Sequence, residues 1–250
     1  MTLDTQTFTV VFVVAAVAGA IAAVSGFGIG SLVTPLFLLW FPARSAVALV
    51  AIPHAIASTV RWLRLRQDVD RHVFIQFGIA SVMGGLMGAL LQAALRSGLL
   101  TAVLGLLLLV AGTSEVLQRP VPLPQTPAAR LLAGALSGLF GGLVGNQGGI
   151  RSAALLGFGL SPRQLVATAT ASAVLVDLAR VPVYLATSGG AIRSHVPLVF
   201  VACTGVVAGT FLGVPLLSQL PVRIYRPLLG LLLAALGISL LLSAALNRRL

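Results

Sequence analysis

Long apolar stretches separated by short polar segments run through the whole chain. Several of these stretches exceed about 18 residues, the length that predicts a membrane-spanning helix. We therefore predict an all-α integral membrane protein with about eight long helical segments. Their predicted bounds are 8–25, 43–63, 73–95, 99–117, 129–145, 162–187, 196–217 and 221–246.

Glycines interrupt the first apolar stretch at residues 26–30 (GFGIG), and a short apolar piece follows at 30–41. As one straight helix, residues 8–41 would span about 51 Å, well beyond a hydrocarbon core of about 30 Å. A helix followed by a re-entrant half-helix fits this length better than a single pass. Lipid cannot supply partners for the backbone groups that such a break releases, so the break must be buried in protein or line a cavity.

The second half of the chain repeats this layout. The glycine break returns at residues 145–149 (GNQGG), followed by a short apolar piece at 150–160. Arg180 follows Arg61 by the same 119 positions that separate the first glycines of the two breaks. We therefore predict two pseudo-repeats, each opening with a glycine-broken helix and a re-entrant half-helix. The predicted division is 1–117 for the first repeat, 118–128 for a proline-rich linker and 129–250 for the second repeat.

The net charge of +11 comes from 16 arginines and no lysine against five acids. Most of the arginines lie in short polar segments between apolar stretches, where they set membrane topology and contact lipid headgroups. Arg151 and Arg180 are placed inside the membrane and are not counted. Of the other fourteen arginines, nine fall on the side of segment 64–72 and five on the other side, for a hairpin and for a through-going break alike. This segment is therefore predicted to be cytoplasmic. In the hairpin version three crossings follow each hairpin, which makes the repeats inverted with both termini outside.

The first glycine break, followed by residues 34–36 (TPL), a proline turn and an Ala/Ser-rich helix, resembles the TauE/SafE family of membrane proteins. One departure is Ala154, which stands where the repeat would place a counterpart of Pro35. The resemblance covers nearly the whole chain and implies a secondary transporter that exports a small anion, such as sulfite or an organosulfonate. The second-half counterparts of the pattern are 145–149, 161–162 and 167–170.

Two half-helices that meet near the membrane midplane would direct unpaired N–H groups and positive helix dipoles at an anion. Matching breaks in two halves are typical of a transporter's binding site, with alternating access between the halves. The alternative for these glycines is close helix packing without a ligand. The predicted substrate-binding residues are Ser25, Gly26, Gly28, Gly30, Ser31, Gly145, Asn146, Gln147, Gly148, Gly149 and Arg151.

Few titratable side chains lie within the apolar stretches. Arg151 begins the second half-helix, where it would either bind the anion or extend to lipid headgroups. Asp177 and Arg180 lie one helical turn apart, which predicts an ion pair with either a structural role or a role in proton transfer. His54 would be either a neutral, hydrogen-bonded histidine or a proton carrier. The candidate coupling or gating residues are thus His54, Asp177 and Arg180, whereas Arg61 is interpreted as an anchor that reaches the headgroups.

Motifs of other function classes are absent from the sequence. It contains no Walker-type phosphate loop, no G-x-S-x-G and no H-E-x-x-H, and its three histidines lack metal-ligand spacing. We therefore predict no enzyme activity, no metal and no cofactor. A passive anion channel is the main alternative to a proton-coupled transporter, and a membrane scaffold would not explain paired breaks. The expected partners are a small anion and membrane lipid without nucleic acid, self-association is left open, and the expected location is the bacterial inner membrane.

Overall fold

The computed structural model describes residues 4–25, 28–117, 126–146, 148–217 and 222–246; for residues 25, 213–217 and 222–225 it describes the backbone alone. These residues form ten α-helices, of which eight are long and two have nine residues each. The prediction of an all-α chain with about eight long helical segments is confirmed. The helices are α1 Thr5–Ser25, α2 Ile29–Phe37, α3 Ala43–Leu65, α4 Arg71–Ala94, α5 Ser97–Leu117, α6 Pro127–Val144, α7 Gly148–Leu156, α8 Pro162–Ser194, α9 Val196–Leu217 and α10 Val222–Leu246.

Seven of the long helices are long and apolar enough to cross a membrane, and α9 contributes the shorter apolar stretch Val196–Leu212. Large apolar side chains lie on the outside of the bundle, where Met83 is 66% and Leu212 is 76% exposed. Such a surface suits contact with lipid tails and would be unfavourable in water. The chain is a multi-pass membrane protein.

Polar side chains mark where several helices begin. Asp70 accepts a hydrogen bond from Val73 N at the start of α4, and Ser161 forms a reciprocal capping box with Gln164 at the start of α8. Before α1, Asp4 accepts hydrogen bonds from Thr7, which lower the pKa of its carboxyl below the usual value. These caps satisfy N–H groups that a helix leaves unpaired in its first turn.

Most helix bounds lie within three residues of the predicted ones, and for two that differ the reason is local. α6 begins at Pro127, two residues before the predicted start, because proline suits the first turn of a helix. The predicted end of α8 at Thr187 is a kink instead: Ser188 has non-helical angles of φ −132° and ψ 16°, and the helix continues to Ser194.

The long helices pack in pairs: α1 with α9, α4 with α6, α5 with α10, and α3 with α8. A Cβ at Gly84 of α4 would overlap the carbonyl oxygen of Ala135 in α6. A Cβ at Gly209 of α9 would overlap that of Ala16 in α1. Glycine thus lets these helices approach closely. This pairing follows the repeat. When each helix is replaced by its counterpart in the other half, the pair α1–α9 becomes α6–α4, and the pairs α5–α10 and α3–α8 are unchanged.

One end of the bundle is identified by side chains that meet across connections. Asp68 contacts Arg163 at 2.8 Å, which brings the end of α3 to the start of α8. The Arg130 guanidinium lies 4.3 Å from the ring centre of Phe158, so the start of α6 lies at the connection from α7 to α8. α6 therefore begins at this end of the bundle, and α7 ends at it.

The other end holds the connections from α2 to α3 and from α8 to α9. The rings of Phe41 and His195 lie 4.7 Å apart there. Gly205 and Gly209 of α9 pack against Phe12 and Ala16 of α1 in the same order, so α1 runs parallel to α9 and starts at this end. The end of α2 also lies there. The pair α1–α2 therefore starts and ends at one end of the bundle, and the pair α6–α7 starts and ends at the opposite end.

Candidate functional site

The two glycine breaks are in contact. Gly145 ends α6 in the left-handed conformation, with φ +75°, which glycine adopts without strain. Gly30, in the first turn of α2, packs so closely on Gly145 that a Cβ would overlap the Gly145 carbonyl oxygen. Beside this contact, the buried Ser31 hydroxyl donates to Asn146 Oδ1 at 3.2 Å. The start of one half-helix therefore lies against the end of the other broken helix.

A cluster of buried polar side chains joins α3 to α8. His54 Nδ1 lies 2.8 and 3.1 Å from the two carboxylate oxygens of Asp177. Because an ionised carboxylate only accepts hydrogen bonds, Nδ1 carries the hydrogen. Arg180 Nε donates to Asp177 Oδ1 at 2.9 Å, and Nη2 of the same side chain lies 2.8 Å from that oxygen. The ion pair predicted between Asp177 and Arg180 is confirmed.

Arg180 also joins this cluster to the second glycine break. Its Nη1 donates to the carbonyl of Gly141 at 2.6 Å, and the Tyr184 hydroxyl donates to that of Gly142. These carbonyls belong to the last turn of α6, where a cation is favoured by the helix dipole. Arg180 Nη1 and Thr34 Oγ1 each lie 3.6 Å from the point where a Cβ of Gly145 would be. The breaks and the charged cluster therefore form one site.

Among the described residues, three arginines are buried together with one aspartate. The exposed fractions are 4% for Arg61, 3% for Arg151, 1% for Arg180 and 2% for Asp177. Arg151 Nη1 donates to the carbonyl of Ala169 in α8 at 2.7 Å. Arg151 also interacts electrostatically with Asp177, Arg180 and Arg61, so these groups share one electrostatic environment.

Two interpretations of these arginines are wrong. Arg61 is not an anchor in the headgroups, and Arg151 does not extend to them, because both side chains are almost fully buried. For Arg61 the reason is helical spacing: His54, Ser58 and Arg61 recur four and three residues apart on the face of α3 that packs on α8. The face on which Arg61 lies, and not its distance from the helix end, decides its environment.

Several buried donors have no hydrogen-bond partner within the described ranges. In and beside this site they are Nε and Nη1 of Arg61, Nη2 of Arg151, and the hydroxyls of Thr34 and Thr170; Nε of Arg44 and of Arg130 are further examples elsewhere. Buried polar groups are normally paired, and buried charges more strictly so. Three positive charges and one negative charge leave a surplus of two positive charges when His54 is neutral. The chemistry of this site therefore suits a negatively charged ligand with oxygen acceptors.

A family model described as "Sulfite exporter TauE/SafE" matches residues 11–240. The chain belongs to the TauE/SafE family. This match confirms the resemblance inferred from the glycine pattern, and it covers all ten helices in whole or in part. No curated protein and no solved structure matches the chain. As a member of a transporter family with seven helices able to span a membrane, the chain is a transporter-type membrane protein.

The structure brings most of the predicted site residues of this TauE/SafE protein together. Gly30, Ser31, Gly145 and Asn146 form the contact of the two breaks. Gly28, Gly148 and Arg151 are buried as well. Gly149 is half-buried, and a Cβ there would lie 3.5 Å from Ala111 Cβ. Gly26, Gln147 and the side chain of Ser25 lie outside the described residues. The predicted coupling residues His54, Asp177 and Arg180 form one hydrogen-bonded group.

Four residues of the site were not among the predicted site residues. Arg61 and Ser58 follow His54 on the inward face of α3, Tyr184 lies one turn beyond Arg180, and Thr34 lies beside Gly145. One signal in the sequence could have identified two of them. Ser58 and Arg61 precede Asp177 and Arg180 by the same 119 positions. In the repeat, Ser58 and Arg61 are therefore the first-half counterparts of the ion pair.

Proposed function

We propose that this protein is a secondary transporter that exports a small oxyanion, sulfite or an organosulfonate, by alternating access. The direction of transport and the sulfur chemistry follow from the family. The observation that carries the proposal is the surplus of buried guanidinium groups beside the contact of two glycine breaks. An oxyanion offers both the negative charge and the acceptor oxygens that these groups require.

The helix arrangement supports a transporter built from two inverted halves, 1–117 and 129–250. The pair α1–α2 begins and finishes at one end of the bundle, and α6–α7 does so at the opposite end. Each broken helix with its half-helix is therefore interpreted as a re-entrant hairpin. Rocking one half against the other would open the contact of the breaks alternately to the two sides of the membrane.

The substrate would lie between the two half-helices and the arginines. The N-terminus of α7, at Gly148 and Gly149, offers unpaired N–H groups and a positive helix dipole. Ser31 and Asn146 supply further polar atoms beside the contact of the breaks. Because Arg151 projects from the first turn of α7, the same short helix would contribute both backbone donors and a guanidinium.

His54 and Asp177 are the groups through which a proton gradient would act on the site. They are hydrogen-bonded to each other at 2.8 Å, and Asp177 is also bound to Arg180. A change in the protonation of this histidine would alter the charge beside the anion. Coupling would then follow from a difference in anion affinity between the two protonation states.

Reconstitution of the purified protein in liposomes tests this proposal. Sulfite flux is measured with and without an imposed pH gradient, with taurine, sulfoacetate and sulfate as competitors and protein-free liposomes as the control. We expect sulfite flux that follows the gradient. Flux that is indifferent to the gradient would instead support a passive channel. Absence of flux for every sulfur anion would remove the proposed substrate class.

A further inference from the structure

Corresponding arginines of the two halves have different partners. Arg180 uses Nε and Nη2 to bind Asp177 and Nη1 to bind the carbonyl of Gly141. Arg61 occupies the corresponding position in the first half, 119 residues earlier, and there Ser58 stands in the place of Asp177. Arg61 Nη2 lies 3.4 Å from the Ser58 hydroxyl, and its Nε and Nη1 have no partner among the described residues.

Arg151 is the second buried guanidinium that lacks a carboxylate contact in the described part of the chain. Its Nη1 binds a backbone carbonyl, whereas its Nη2 is buried without a described partner. Arg151 and Arg61 interact electrostatically although they lie on different helices, α7 and α3. Two buried cations close enough to repel each other are unfavourable unless a negative charge compensates them.

We propose that Arg61 and Arg151 bind the transported anion between them, and that this anion carries two negative charges. The inference rests on the proposed function, and it specifies both the residues and the charge of the substrate. Two charges match the surplus that remains after Asp177 neutralises Arg180. Serine at position 58 leaves Arg61 free for the substrate, whereas an aspartate there would occupy it as Asp177 occupies Arg180.

Planar guanidinium groups bind oxyanions through paired N–H donors, which gives them both strength and orientation. A sulfite dianion can receive such donors from both arginines and neutralise them fully. A singly charged alkylsulfonate offers similar oxygens but leaves one positive charge buried without compensation. The site therefore predicts selection by charge, apart from any selection by size.

Calorimetric titration of the full-length protein in nanodiscs tests this inference. The probes are sodium sulfite at mildly alkaline pH, where it is mostly the dianion, and sodium methanesulfonate. We expect the wild type to bind sulfite about tenfold or more tighter than methanesulfonate. Arg61→Met and Arg151→Met should each weaken sulfite binding by about 10- to 100-fold, because each removes charged hydrogen bonds.

Position 58 provides a matched pair of variants. Ser58→Asp should weaken sulfite binding to a similar extent, and by at least about tenfold more than the uncharged Ser58→Asn of the same size. Thermal unfolding verifies that each variant folds, and if Ser58→Asp does not fold, Arg61→Met decides. Sulfite binding at wild-type strength in Arg61→Met would overturn the inference, as would methanesulfonate binding as tight as sulfite binding.

Flux measurements on the same samples separate this inference from the proposed function. Sulfite binding that depends on Arg61, without flux in wild-type liposomes, would overturn transport and support the anion site. Wild-type flux that persists unchanged in Arg61→Met would overturn the site and leave transport standing. Loss of both binding and flux in Arg61→Met, with unfolding behaviour like that of the wild type, is the result we expect.

Discussion

Gly30 in the first turn of α2 lies against the backbone carbonyl of Gly145, the residue that ends α6. A methyl group at position 30 would overlap that oxygen, and a backbone oxygen moves only if its helix moves. We expect Gly30→Ala to lower the free energy of unfolding by about 1–3 kcal/mol and to abolish sulfite flux in liposomes. Thermal unfolding in detergent and the flux assay measure the two effects.

Gly190 of α8 is the matched control, since it is a helical glycine outside the site. A Cβ at this position would have no heavy atom within 4 Å, and the residue is exposed. Gly190→Ala should therefore retain wild-type stability and flux. Normal flux in Gly30→Ala would show that transport does not depend on the contact between the two breaks.

The corresponding arginines of the two halves should differ in their effect on stability. Arg180→Met leaves the buried Asp177 with His54 as its remaining described partner and removes the donor to Gly141. We expect it to destabilise the protein by about 3–5 kcal/mol, as removal of one member of a buried ion pair does. The measurement is thermal unfolding in anion-free detergent buffer.

Arg61→Met removes a buried cation that has no carboxylate contact in the described part of the chain. Its melting temperature in the same buffer should equal or exceed that of the wild type, because a buried charge without compensation is unfavourable. Equal destabilisation by Arg61→Met and Arg180→Met would contradict the difference between the two halves.

The short helix α2 and the glycine break before it were predictable from the sequence. They follow from the length of the first apolar stretch and from the position of its glycines. An apolar run too long for one pass, interrupted by glycines, leaves few structures that lipid tolerates. The glycines at 26–30 and 145–149 thus predicted the positions of the two short helices, α2 and α7, although Ala154 replaces the proline found at position 35. Family membership followed from the same glycine pattern, as the match to residues 11–240 confirms.

The burial of Arg61 does not follow from its position near the end of α3, which predicts an anchor in the headgroups. In a bundle, an arginine near a helix end can reach headgroups only if its face of the helix is turned outward. That face is set by packing of α3 on α8, which depends on residues far apart in the sequence. The sequence predicts that the two breaks lie together, but the specific contact of Gly30 with the Gly145 carbonyl depends in the same way on packing between segments far apart in the sequence.

His54 gives a test of proton coupling that leaves the ion pair in place. Asparagine at position 54 offers an amide N–H close to the position of Nδ1, so Asp177 keeps a donor, but the amide does not titrate. We expect His54→Asn to transport sulfite at a rate that is independent of the pH gradient. Gradient-driven accumulation at the wild-type level in this variant would exclude His54 as the coupling group.

Orientation in the membrane can be measured with single cysteines, since Cys203 is the sole cysteine of the sequence and can be replaced by serine. Leu39 is 73% exposed at the connection from α2 to α3, and Arg66 is exposed at the opposite end of the bundle. In intact cells, a membrane-impermeant maleimide should label Leu39→Cys, whereas Arg66→Cys should react only after permeabilisation. The opposite result would reverse the predicted topology, which rests on the arginine excess near Arg66.

The hairpin formed by α6 and α7 can be tested in the same way at its two flanks. Ala128 lies in the first turn of α6 and Arg163 in the first turn of α8, directly after α7, and both are exposed. If α6 and α7 return to their own side, Ala128→Cys and Arg163→Cys both require permeabilisation, like Arg66→Cys. A through-going pass would place the two cysteines on opposite sides, so one of them would be labelled in intact cells. Because three crossings follow each hairpin, protection of both flanks would also establish that the two halves are inverted.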